Sequence, residues 1–376
     1  MDYKLSELFD LQMGKTPSRD NPAYWDSPQY AWISIADLTS AGKYITDTKE
    51  SLSALAVEES GIKVIPAQTV VMSFKLSIGK VAITPVPMYS NEAIMAFVDK
   101  GIVKIDPEYL YYLSLHRDWE EGTNKAVMGK TLNKATLSNV MISIHSYEEQ
   151  REIVLVLNRV STIIDEYKLQ LRTLDQLIKA RFVEMFGDYQ DIVQLSDVAE
   201  VTGGLTKNGN RDRLPLKLPY LRVANVSFAS IDTTEMLSIG LTEEERSKTT
   251  LQYGDLLFVE GNGSPDQIGR VAIWHDEVVP CVHQNHIIKA RLNESKMLPS
   301  FAMHYYMSQK GRDQIKKKAV STSGLYTLSV SKISGFVMPC PPLDRQIEFA
   351  ALVAQVDKSK VVEFSVFTKR AKSYII

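Results

Sequence analysis

The chain has 376 residues, 44% of them hydrophobic and 23% charged, with a formal net charge of −2. That length predicts two or three domains in a well-cored globular chain, and any nucleic-acid-binding charge must be concentrated on one face. Two cysteines, Cys281 and Cys340, exclude a disulfide framework and a cysteine metal centre, while the lack of a signal-like start or a membrane-length apolar run predicts a cytoplasmic protein.

Residues 1–146 read as short β-branched and apolar strands broken by Gly, Pro and polar turns, such as Val70-Val71-Met72, with one short helix around 109–119. Residues 147–187 read as a long helix. Ile153, Leu157, Val160, Ile164, Tyr167, Leu171, Leu174 and Ile178 alternate four and three apart, which is a coiled-coil seam. Glu148, Glu149 and Glu152 lie in its first turns and Lys179 and Arg181 near its end, as the helix dipole favours. Residues 188–342 repeat the first grammar, with Leu256-Leu257-Phe258-Val259 as a strand and a short helix around 301–309. In the closing segment, 343–376, Phe349, Val353 and Val356 continue a seam, but Lys360, Glu363 and Arg370 interrupt it. Residues 361–367 are β-branched and aromatic, and burying unpaired charge costs several kcal/mol. The helix is therefore predicted to run to about Lys358 and to be truncated there.

The chain is a repeat. Leu5-Ser6-Glu7-Leu8 followed by Gly14 matches Leu195-Ser196-Asp197-Val198 followed by Gly204. Residues 32–38 match 220–226, and Ile78-Gly79-Lys80-Val81-Ala82-Ile83 matches Ile268-Gly269-Arg270-Val271-Ala272-Ile273. Gln150 at the start of one long helix is answered by Gln346 at the start of the other. These matches recur in order at an offset of about 190 residues.

Catalytic motifs fail. Gly14-Lys15-Thr16 and Gly129-Lys130-Thr131 would end a phosphate-binding loop, but Phe9 and Asn124 stand where its first glycine belongs, so these are turn or backbone-approach glycines. Asn21-Pro22-Ala23-Tyr24 lacks a proline of the DNA amino-methyltransferase tetrapeptide, and no strand followed by a Gly-rich loop is present to hold S-adenosylmethionine. Pro265-Asp266 has no following Glu/Asp-x-Lys of a nuclease. His283 and His286, on opposite faces of an extended segment, suit packing or hydrogen bonding better than a metal. No catalytic residue and no metal ligand is assigned. The chain reads as a binding protein.

Polar loops at matching repeat positions supply DNA-binding candidates. In the first repeat they are Lys15, Thr16 and Arg19, then Lys75, Ser77 and Lys80, then Lys125, Lys130 and Asn133. In the second they are Lys207, Asn208, Asn210, Arg211, Arg213 and Arg222, then Asn262, Ser264, Gln267 and Arg270, then Lys317, Ser321, Thr322, Ser323 and Tyr326. Lysine and arginine hold phosphates, while Arg, Asn, Gln and Ser/Thr read base edges. Lys80 and Arg270 share a repeat position with only charge preserved, which suits phosphate contact.

These marks resemble the specificity subunits of Type I restriction–modification systems over nearly the whole chain. Besides the repeated motifs, Tyr24-Trp25 and the stretch Arg181-Phe182-Val183-Glu184-Met185-Phe186-Gly187-Asp188 are similar to that family. Pro341-Pro342-Leu343-Asp344-Arg345-Gln346 resembles its helix entry, with Arg345 replacing a glutamate. The resemblance implies an α/β (α+β) fold with two target-recognition domains, 1–146 and 188–342, and two spacer helices paired as an antiparallel coiled coil. It implies double-stranded DNA, two methyltransferase subunits and restriction–translocation subunits as partners, with S-adenosylmethionine, ATP and magnesium held by those partners and no cofactor in this chain. The alternative is a duplicated β-rich module that binds proteins or regulates them; salt-dependent retention on DNA separates the two.

Overall fold

The computed structural model describes residues 1–25, 29–75, 77–119, 132–322 and 324–372, with backbone alone for 322 and 362–372. Lys125, Lys130 and Ser323 thus lie outside the described residues, as does the side chain of Thr322. The chain divides into two compact units, Met1–Ile164 with Arg370–Ile376, and Asp165–Lys369.

Within the first unit, an antiparallel sheet runs in the order Phe9–Met13, Ile94–Asp99, Thr69–Ser73, Val81–Thr84. A second sheet places Tyr30–Ile33 between an antiparallel Glu50–Leu52 and a parallel Tyr89–Ser90. The second unit repeats both. Its larger sheet is Ala199–Gly203, Ile287–Leu292, Leu256–Val259, Val271–Ile273, and Leu216–Leu221 stands between an antiparallel Leu237–Leu241 and a parallel Val282–His283. Even the closing pair recurs, Asp2–Lys4 with Met141–Ser143 and Ile192–Gln194 with Val337–Pro339.

The inner strands Thr69–Ser73 and Leu256–Val259 are buried along their whole length because both faces of each larger sheet are covered. Val70, Met72, Val81, Ile83, Met95 and Phe97 enter one core, and the alternate residues Val71, Ala82, Ile94 and Ala96 enter another. In the second unit Leu256, Phe258, Val271 and Ile288 face one core and Leu257, Val259, Ala272 and Ile287 the other. Alternation survives as a division between two cores rather than between core and solvent.

The central helix is Tyr147–Phe186. The predicted seam residues from Ile153 to Leu174 are half-buried, and Ile178 is buried. The seam also continues beyond the sequence reading: Phe182 and Phe186 are buried and meet Phe349 at ring-centroid distances of 5.3 and 5.8 Å. Phe301 completes this cluster, 4.8 Å from Phe186. Because Phe349 meets Phe182 and Phe186 while Lys360 meets Asp175, the two helices run antiparallel within the second unit. Phe349, Val353 and Val356 are buried, as the seam requires.

The expected end near Lys358 is corrected: the closing helix runs Leu343–Lys372. Lys360 is not an unpaired buried charge. Its ammonium lies 2.9 Å from Asp175 and 2.9 Å from Asp357, and these carboxylates raise its pKa against the opposing effect of burial.

A buried glutamine ties each long helix to its unit. The Gln150 amide oxygen accepts from Asp106 N (2.8 Å), and its nitrogen donates to the Lys104 (3.1 Å) and His145 (3.0 Å) carbonyls. Gln346 does the same with Leu298 N (2.8 Å) and the Lys296 (3.0 Å) and Pro341 (2.8 Å) carbonyls. Asp106 and Leu298 are the N-cap residues of the helices Pro107–His116 and Pro299–Met307. In both units the glutamine thus satisfies the amide of a helix cap.

Candidate nucleic-acid interface

In the first unit, Gly14 allows a close crossing of chains, since a Cβ there would stand 2.2 Å from the Asn91 carbonyl oxygen. Gly204 repeats this against the His283 carbonyl at 2.2 Å, so both are backbone-approach glycines. Lys15 donates to the Ser60 carbonyl and Thr16 to the Glu92 carboxylate. Arg19 forks onto Glu50 and lies over Trp25, 3.9 Å from the ring centroid. The hydrogen bond to Glu50 raises the Arg19 pKa and lowers that of Glu50, so this charge is already compensated. Lys75, Ser77 and Lys80 sit on the turn between the strands Thr69–Ser73 and Val81–Thr84, half-exposed, with Lys80 donating to the Thr39 hydroxyl. Asn133 caps the helix Lys134–Ser138, accepting from Thr136 N at 2.8 Å.

The second unit gathers its candidates into three groups. In the 206–213 loop, Asn208 caps a short turn by accepting from Asn210 N. The Arg211 side chain is 11% exposed; it forks onto Glu245 (2.8 and 3.1 Å) and donates to the Thr206 and Gly240 carbonyls. Lys207, Asn210 and Arg213 project exposed around it, and Lys207 and Arg213 have no ion-pair partner among the described residues. Arg211 organises the loop, whereas its neighbours are available to a ligand.

Arg222 and Arg270 form the next group. Arg270 donates to the Val223 carbonyl at 3.2 Å, and Arg222 to the Glu235 carbonyl at 3.0 Å. The Nε of each is buried without a partner, and burial lowers the Arg270 pKa. Lys80 reaches Thr39 in the helix Ile35–Ser40, and Arg270 reaches the turn Val223–Asn225, which follows the matching strand. The repeated charge therefore braces the same pair of elements in both units.

The last group is built around the loop 261–270. Gly261–Asn262 pairs with Leu325–Thr327, which pairs with Val320–Thr322, so Asn262, Tyr326 and Ser321 lie side by side. Asn262 accepts from Ser264 N at 2.9 Å, Gln267 is half-buried, and Lys317 is exposed. The sequence reading missed Arg312, which donates to the Asp266, Ile268 and Gly269 carbonyls. The repeated Ile-Gly-basic turn was the available signal that something must hold this loop. His283 is buried with Nδ1 2.8 Å from the Ile287 carbonyl oxygen, and His286 is paired with Glu260.

The chain matches the family described as Type I restriction modification DNA specificity domain over residues 1–173 and 188–362. It is 24% identical to the Type I restriction enzyme MjaIX specificity subunit of Methanocaldococcus jannaschii, across 93% of this chain and 85% of that protein. It is 22% identical to the StySPI specificity subunit of Salmonella potsdam, across 94% and 81%. In fold it is similar to the crystal structure of a Type I S subunit from M. genitalium, with a TM-score of 0.52 at 14% identity over 100% of this chain and 94% of that one. A chain solved in a study of type I R-M complex assembly gives a TM-score of 0.54 at the same identity and coverage. With both halves of the repeat matched, the chain belongs to the Type I restriction–modification DNA specificity family.

Proposed function

We propose that each β-rich unit reads one half of an interrupted, asymmetric DNA site, and that the long helices set the gap between the halves. On this reading the chain performs no chemistry itself. Double-stranded DNA is its ligand in the cytoplasm. Two methyltransferase subunits and the restriction–translocation subunits are its partners, and they hold S-adenosylmethionine, ATP and magnesium.

The observation that carries the proposal is one strand order used twice with unlike loops. A repeated frame offers each unit the same approach to a duplex, while 15–19 and 75–80 differ in side chains from 206–213 and 261–267. Backbone contacts fix register and side chains on base edges fix sequence, so equal frames with different loops suit two different half-sites. Lys207, Arg213 and Lys317 are exposed cations suited to phosphates.

The test replaces residues 192–340 with the corresponding segment of another family member, in cells carrying the modification subunits. Sequencing of methylated bases is expected to show one half of the motif changed and the other kept. A motif that changes in both halves, or in neither, rejects the proposal.

A further inference from the structure

We infer that the helix Gln309–Lys318 is a clamp that fixes residues 261–270 in the shape from which they read DNA, with Arg312 as its central positioning residue. The inference rests on the reading role proposed above for that loop.

Arg312, Ile315 and Lys316 share one face of the helix, spaced three and four residues apart. All three grip the second half of the loop, residues 266–269, by different chemistry. Arg312 donates to the carbonyls of Asp266 (3.2 Å), Ile268 (2.7 Å) and Gly269 (3.1 Å), and its guanidinium lies 5.0 Å from the centre of the Phe228 ring. Ile315 is fully buried against Gly269, where φ is +62° and a Cβ would stand 2.5 Å from the Ile315 Cγ2. Lys316 pairs with the Asp266 carboxylate at 2.6 Å. At the other end of the loop, Gly261 pairs with Thr327 and Asn262 with Tyr326.

Both ends of the loop are thus anchored before any ligand arrives, with Asn262 and Gln267 on the anchored stretches and Ser264 between them. A loop held in advance loses less entropy on binding and presents its donors in one arrangement, which discrimination between bases requires. The grip depends on arginine. A guanidinium carries five donors in a rigid plane and can serve three carbonyls, whereas an ammonium is a point donor. In the first unit the equivalent Gly79, at φ +86°, instead meets the Trp119 ring, with 3.3 Å from its Cβ position to Cδ1. The two units therefore brace equivalent turns by different chemistry.

The test uses the full chain with its modification subunits and compares wild type, Arg312→Ala, Arg312→Lys and Lys316→Ala. Both Arg312 variants are expected to speed amide exchange in 261–270 about tenfold or more, with the strands Leu256–Val259 and Ile287–Leu292 still protected. The methylated motif is expected to relax in one half only, its discrimination against single-base variants falling about tenfold. Low-salt retention on unrelated duplex DNA is expected to stay within about twofold, since phosphate contacts remain. Lys316→Ala, which leaves the fork intact, should give a smaller change in the same half. Should Arg312→Ala melt the strands, Arg312→Lys and Lys316→Ala decide the matter. Faster exchange with an unaltered motif, or unaltered exchange, overturns the inference. A wild-type chain that directs no motif-specific methylation fails the proposed function itself, before any variant is compared.

Discussion

Replacing Gln346 with methionine removes a buried amide while nearly keeping its volume. Leu298 N–H and the Lys296 and Pro341 carbonyls then lose their partner at a position with no solvent exposure. An unpaired buried polar group costs about 1–3 kcal/mol. Two of the three bonds are only partly buried, so water can recover some of that loss, and the thioether recovers roughly 1 kcal/mol by burial. The net cost is about 2–3 kcal/mol, which in a body of about 200 residues lowers the midpoint by roughly 4–12 °C. Thermal unfolding gives the size of the effect, and peptide-resolved amide exchange gives its place. Protection should fall around 296–301 and 341–350, and not around Gln150. The exposed neighbour Arg345→Ala serves as control. A shift below about 1 °C would mean that solvent replaces the amide, and an equal loss of protection around Gln150 would refute the local latch.

Three other perturbations separate roles that composition leaves mixed. Burial lowers the His283 pKa to about 4 from an ordinary 6.5, so the unfolded chain takes up a proton first as pH falls. Stability of the second unit should be level above about pH 6.5 and decline toward pH 4, by about 2 kcal/mol at pH 5. Urea midpoints at pH 7 and pH 5 that differ no more in wild type than in His283→Gln would contradict this. Arg211→Ala, which breaks the fork to Glu245, should cost about 2–3 kcal/mol of stability. Arg213→Ala should leave stability within about 0.5 kcal/mol but weaken DNA binding and reduce the salt slope by about one; the reverse pattern would exchange the two roles. Calorimetry on the chain alone is expected to detect no S-adenosylmethionine binding, and micromolar affinity would place a cofactor site in this subunit.

The duplication was legible because its motifs lie on the frame. Ile78-Gly79-Lys80-Val81 and Ile268-Gly269-Arg270-Val271 each form a turn with a positive-φ glycine that leads into a buried strand. Strand order was not legible, since pairs such as Phe9 with Asp99 join residues far apart in sequence. Nor could the sequence separate Arg211 from Arg213, two arginines in one loop, because Glu245 lies across the fold from only one of them. Lys360 marks the same limit on the long helix. Its charge on the seam argued for an early end, and the compensating Asp175 belongs to a helix nearly two hundred positions earlier. The candidates Lys15, Arg19 and Asn133 carry the right chemistry for DNA, yet each is already engaged with a protein partner.

The aromatic cluster at the end of the central helix also sets a rule for chimeras. Phe182, Phe186 and Phe349 lie outside the segment 192–340, and Phe301 lies inside it. A graft at those boundaries brings its own strands and loops but must complete a socket built by the host. A donor with a small side chain at the position of Phe301 would leave a void among three rings, and aromatic-to-alanine voids cost about 3–5 kcal/mol. Donor segments should therefore sort by that single side chain: those with a ring fold on this host, and those without one need both junctions moved, upstream into the central helix before Phe182 and downstream past Phe349, so that the socket travels with its plug.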